Sequence, residues 1–334
     1  MKRKLSLLFL SVFSIASIYA QSPKAKGAEA ITKRSVQSQI TFLADDLLEG
    51  RDAGMRGGMI AASYIASVLH ELGIEPLYDT GYFQRFEAIQ NPEEGARPRY
   101  FIDEAKIKEL QNDTLQPRQM KNILGYIEGK NKDEYVVVGA HYDHLGIIND
   151  SIYNGADDNA SGVAAVLQIA KGFVASGQKP ERTVIFALWD GEEKGLLGSS
   201  YFVNHTDLLP KIKGYMNFDM IGRNTDENNP THVDYFYTEA NPEFEKWQRM
   251  HIEEFNLNLT PTYRPWDNPV GGSDNASFAK HQIPIIWYHT NAHPDYHKPG
   301  DEAYKINWDK AVDIIKSSYL NMWEMANNPT YSVK

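Results

Sequence analysis

Apolar and polar positions along this chain change period several times, and each change marks an element. SVQSQITFLADDLLEGRDAGMRGGMIAASYIASVLHELG carries two amphipathic patterns of helical period, separated by the glycine-rich LEGRDAGMRGG. The spacing predicts helix, loop, helix, with Gly73 ending the second helix. From about residue 80 to 120 the chain is polar and irregular, as in NPEEGARPRY and NDTLQPRQ, and too short for an inserted domain with its own core. Beyond it the pattern changes. NILGYIEG and YVVVGAHYD are β-branched runs, ASGVAAVLQIAKGFVASG is helical, RTVIFALW reads as a buried strand and GYMNFDM as another. PEFEKWQRMHIEEF, the segment around SDNASFAKH, IPIIWYH and WDKAVDIIKSSYLNMWEMA continue the alternation. Strands alternating with helices predict an α/β fold, one domain whose mixed, twisted sheet is mostly parallel with helices on both faces. No internal repeat or low-complexity tract interrupts the pattern.

The 334 residues allow one large domain or two modest ones, because single cores stop growing at roughly 250–300 residues. The unbroken alternation favours one, over residues 31–330. Ahead of it, MKRKLSLLFLSVFSIASIYA has the cations, apolar run and small terminal residues of a secretory signal peptide over residues 1–20, cut after Ala20. QSPKAKGAEA, residues 21–30, is small and polar and reads as a flexible lead-in. No later stretch is apolar for long enough to span a bilayer, so a product without a membrane anchor, exported to the periplasm or the medium, is expected. With no cysteine there are no disulfides or thiolate ligands, and any metal must be held by His, Asp and Glu. The formal charge of −10 becomes −13 once a signal holding three cations and no acid is removed, which disfavours nucleic acid as a partner.

In such sheets ligands gather outside the carboxyl ends of the strands. YVVVGA ends in His141, Tyr142 and Asp143; VIFALW in Asp190, Glu192 and Glu193; GYMNF in Asp219; IPIIWY in His289, followed by a loop with His293 and His297. Between the first two lies GADDNASG, which places Asp157 and Asp158 near a helix N-terminus. Taken singly, each group has a plainer role as a solvated turn acid, a capping residue or a solvent-touching histidine. Together, imidazoles and carboxylates from separate strand ends form a nitrogen and oxygen donor set suited to zinc or a similar divalent ion. A catalytic metal leaves a position for water and lowers its pKa, and a carboxylate beside the ligands then serves as general base. The adjacent Glu192 and Glu193 can divide those tasks. Asp143, two residues from His141, can share its face of an extended segment and fix the imidazole tautomer.

GAHYDH, GADDNASG, DGEEKGLLGS, NFDMIG and HPDYHKPGDE, in this order, resemble the M28 family of zinc metallopeptidases, co-catalytic aminopeptidases of secretory spaces. Matching segments run from about residue 36, at ADDLLEGRDAG, to 315. The resemblance implies the zinc-exopeptidase fold, two Zn2+ ions per chain, and peptide substrates with a free N-terminus. Residue by residue it implies His141 and Asp219 as terminal ligands of different ions and Asp158 as the carboxylate bridging both. It further implies Glu193 as ligand, Glu192 as general base, and His297 as completing the second ion's shell. Asp157 is the runner-up for the bridge, and His293 competes with His297, becoming otherwise a pocket or surface residue. His289 is expected to be structural. Many relatives read SDH where this chain has Ser273, Asp274 and Asn275, so a role carried by that histidine is not expected here, and no metal-ligand position is lost.

Two rival readings accompany this one. Glutaminyl-peptide cyclases resemble the family in fold and carry DGEE, but generally use one zinc and move an acyl group within the substrate; here KGLLGSSYF follows the glutamates as in the peptidases. A binding or receptor-like module that lost catalysis would usually show substituted ligands, and all six positions are intact. Trp266, Trp287 and Tyr288 are candidates for aromatic lining, and NLTPTYRPWDNPVGG for a loop overhanging the site.

Overall fold

The structure is a computed structural model that describes residues 22–93, 98–266 and 271–331. The expected signal segment lies outside those residues. Within the expected lead-in, Pro23–Ala30 forms helix α1, capped by the Ser22 hydroxyl and started by a proline whose missing N–H is not needed there. Gly27 and Ala28 are buried, and a Cβ on Gly27 would lie 1.9 Å from the Tyr319 hydroxyl. The small residues that read as disorder permit this close docking.

Helices α2 (Lys33–Leu43) and α3 (Arg56–Glu71) flank the glycine-rich loop, as their periodicity predicts. The polar stretch that follows supplies strand β1 (Phe83–Gln90) and leads into β2 (Arg118–Ile127). The alternating half comprises β3 (Asn131–His141), α4 (Gly162–Ser176), β4 (Arg182–Trp189), α5 (Leu197–His205) and β5 (Ile212–Phe218). It continues through β6 (His232–Tyr237), α6 (Glu243–Glu254), β7 (Thr260–Pro265), β8 (Ile285–His289) and α7 (Trp308–Asn327).

These strands build one large mixed sheet in the order β7, β6, β8, β5, β3, β4, β2, β1. Its centre, β8 to β5 to β3 to β4, is parallel, while β2 and β1 extend one edge antiparallel. Every residue of β4 is buried, as its unbroken apolar run requires of a strand covered on both faces. Helices α1, α2, α4 and α7 pack on one face, and Trp189, Phe202, Tyr215 and Phe278 fill the other.

The topology locates the crevice. From β3 the chain passes through α4 to β4 on one side, then crosses back to β5 on the other, so the order reverses at β3. Register makes the strand ends level there: His141 lies beside Trp189, and Ala140 beside Phe218. The residues just past each end therefore meet.

Candidate metal centre

His141 ends β3 with 1 % of its surface exposed. A proton on its Nδ1 is donated to the Asp143 carbonyl at 3.1 Å, which leaves Nε2 facing Asp158 Oδ1 at 3.4 Å and Asp219 Oδ1 at 3.6 Å. The Asp143 carboxylate does less for His141 than its spacing predicts, with Oδ1 3.7 Å from Nδ1. It accepts instead the main-chain N–H groups of Glu192, at 3.0 Å, and Glu193, at 3.3 Å. Asp143 thereby ties the end of β3 to the glutamate turn after β4, a link invisible in the sequence because it runs through backbone.

Asp158 is fixed from both sides. Its N–H donates to Asp301 at 2.9 Å, and the next residue, Asn159, donates its amide to the Phe218 carbonyl while accepting from Met220 N–H. This binds the Asp158 loop to the end of β5, where Asp219 stands. Gly155 opens the loop at φ +58°, and a Cβ there would lie 2.1 Å from the Asp158 carbonyl oxygen; only glycine fits that turn. Asp157, the alternative bridge, points away and accepts from the N–H groups of Gly222 and Arg223.

The two oxygens of Asp158 face different groups. Oδ1 looks toward His141, which itself abuts Asp219, whereas Oδ2 lies 3.0 Å from His297 Nε2 and 3.8 Å from His144 Nδ1. Glu193 completes the second group, 3.4 Å from His297 and 2.8 Å from His144. His141 and Asp219, expected apart, fall with Asp158 in one donor cluster, because β3 and β5 are neighbours and end level.

Electrostatics separate the paired glutamates. Burial is the largest influence on Glu192 and, with Asp219, Glu193 and Asp274 nearby, holds its carboxyl well above the usual range against the pull of His141. Burial acts the same way on Glu193 but is outweighed by His144 and His297, which hold it well below that range. His297 feels burial too, yet Asp158 and Glu193 carry it up to about 9. Glu192 also lines a cavity of about 370 Å³ with Arg99, Leu196, Tyr296 and His297. A larger hollow of about 570 Å³ beside Asp45 and Trp308 holds none of these groups.

The donors fit divalent cations. His141 Nε2, both nitrogens of His144 and Glu193 Oε1 are buried without a hydrogen-bond partner, an arrangement that costs free energy unless an ion completes it. All donors are nitrogen or oxygen, and each cluster offers three or more within mutual reach.

Other expectations meet mixed outcomes. His293 is neither in the cavity nor on the surface: it is buried against Asp157 at 3.5 Å and Asp301 at 3.8 Å. His289 donates to the Asp219 carbonyl and stacks on Trp287. Tyr288 is core, its hydroxyl donating to Gln248, and Trp287 and Trp266 pack on Phe236. Asn275 turns inward to pair with Asn217. Of the suggested overhanging loop, Thr260–Pro265 is edge strand β7, and residues 267–270 lie outside the described residues. Sequence reasoning passed over His144, although GAHYDH displays it, and over Asp301 and Arg51.

Residues 122–320 match peptidase family M28. A stretch of 188 residues is 32% identical to leupeptin-inactivating enzyme 1 of Streptomyces exfoliatus, covering 55% of this chain and 38% of that enzyme. The chain thus aligns with well under two thirds of that relative. Among solved structures it is similar to BSAP, a zinc aminopeptidase from Bacillus subtilis, with a TM-score of 0.69 at 18% identity over 91% of this chain and 98% of the other. It is similar also to a glutaminyl cyclase from Fimbriiglobus ruber, with a TM-score of 0.67 at 15% identity over 88% of this chain and 95% of that one. At such identities the likeness shows the fold alone.

Proposed function

This chain belongs to peptidase family M28, and on that premise we propose that it is an exported dizinc aminopeptidase, removing N-terminal residues from peptides. The reading is carried by the split of Asp158, whose two oxygens serve two donor clusters as a bridging carboxylate would. His141, Asp158 and Asp219 would hold one zinc, and Asp158, Glu193 and His297 the other. When bound, the ions supply Lewis acidity, polarising a peptide carbonyl and making water acidic enough to lose a proton near neutral pH.

The chain's own groups do the rest. Glu192, beside the donor clusters and lining the cavity, takes the proton from the attacking water and returns it to the leaving amine. Asp143 anchors both glutamate N–H groups and so fixes where that carboxylate stands. The cavity of about 370 Å³ lies beside Glu192 and His297, and the carboxylates around it attract a free α-amine. Export rests on the sequence of residues 1–20.

The cyclase reading draws support from the shared fold, so substrate chemistry must separate the two. Peptides beginning with Leu or Gln are offered to the purified chain, scoring release of the first residue against ring closure. Glu192→Gln is expected to retain its metal while turnover falls about 10²–10⁴-fold, the usual worth of a general base. Full turnover at normal metal content, or cyclisation without release, would refute the proposal.

A further inference from the structure

His144 has no role in the reading above, yet it faces the same carboxylates. Its side chain is fully buried, and neither ring nitrogen has a hydrogen-bond partner. Nδ1 is 2.8 Å from Glu193 Oε1 and 3.8 Å from Asp158 Oδ2, and Glu193 Oε1 is likewise unpartnered. That separation, an ion pair when the imidazole carries a proton, is also the spacing of two donors on one cation when it does not. Ligands each roughly 2 Å from zinc sit about 3 Å from one another.

Both the main chain and the ring of His144 are closely packed. The His144 N–H donates to the Arg51 carbonyl at 3.1 Å, and the ring presses on Gly155, where a Cβ would lie 2.5 Å from it. His297 approaches from the other side, the two ring centres 6.0 Å apart.

We propose that His144 is a metal ligand, adding a second imidazole to the ion shared by Asp158, Glu193 and His297. The inference rests on the reading that these clusters hold divalent cations. It makes the two sites unequal, with one imidazole beside Asp158 and Asp219 and two beside Asp158 and Glu193. The second site therefore keeps its ion longer against a chelator.

The deciding experiment uses the unmodified chain, with 15N-labelled histidine and 113Cd in place of zinc. Histidine nitrogens split by cadmium are counted by NMR. Three are expected, from His141, His144 and His297; two, with both ions bound, overturn the proposal while leaving the dinuclear reading intact. Absence of bound cadmium would instead defeat the reading beneath it. In a second arm, His144→Ala is titrated with zinc against a chromophoric chelator. One of two sites should weaken by more than about 100-fold, beyond the 10–100-fold of a residue that only orients a ligand. Two sites of unchanged affinity overturn the assignment.

Discussion

Replacing Arg51 by Met removes a guanidinium that is 0 % exposed and donates to the carbonyls of Leu43, Tyr142, Asn154 and Gly155. Two of these carbonyls flank the residues that lead into His144 and Asp158, and Met fills similar volume without a polar atom. Each buried carbonyl left unpaired costs about 1–3 kcal/mol. Burial depresses the Arg51 pKa to about 10, so placing this charge inside is itself costly and the low end of that range applies. Four carbonyls at about 1 kcal/mol give a loss of about 4 kcal/mol, a large part of the 5–15 kcal/mol typical of a domain. The same cation stands among Asp158, Asp301, Asp143 and Glu193. Zinc would take over part of that charge balance, so the loss should be larger in chelated protein than in zinc-loaded protein. Urea denaturation followed by circular dichroism, with saturating zinc and with chelator, measures both. A loss under about 1 kcal/mol would refute the structural account of Arg51, and an equal loss in the two conditions would refute its role as counter-charge.

Two further perturbations probe the frame around the site. Gly155→Ala places a methyl 2.1 Å from the Asp158 carbonyl oxygen at a φ of +58°; overpacking and left-handed strain together should cost about 3 kcal/mol and weaken metal binding, and a wild-type denaturation midpoint would contradict it. His293, held down to about 4 by burial with Arg223 nearby, binds its proton less tightly in the folded chain than at its ordinary 6.5. It therefore favours folding above pH 6.5, and that contribution is lost as pH falls from 6.5 through 4, at up to about 1.4 kcal/mol per pH unit. The stability difference between wild type and His293→Gln should shrink across this window, and parallel pH curves would show that the group does not titrate there.

Much of this was legible in the sequence because burial and chemistry left separate marks. The unbroken run RTVIFALW reads as a strand covered on both faces, and β4 is buried throughout. His141 at the end of its strand, and Asp158, Glu193, Asp219 and His297 from the segments between elements, lie close together in the structure. What stayed hidden depends on backbone or on register. The carboxylate of Asp143 meets N–H groups, which no side-chain spacing reveals. Which donors cluster together follows from β3 lying beside β5, a topological fact that put His141 with Asp219. Pro23–Ala30 looked disordered because its small residues signal low hydrophobicity, while the close approach to Tyr319 that they allow is tertiary.

The most direct test of the dinuclear site is a crystal structure of the zinc-loaded chain with anomalous data collected at the zinc edge. The account predicts two peaks, one against His141 and Asp219 and one against Glu193 and His297, with Asp158 between them. No peak, a single peak, or peaks away from Asp158 would contradict it.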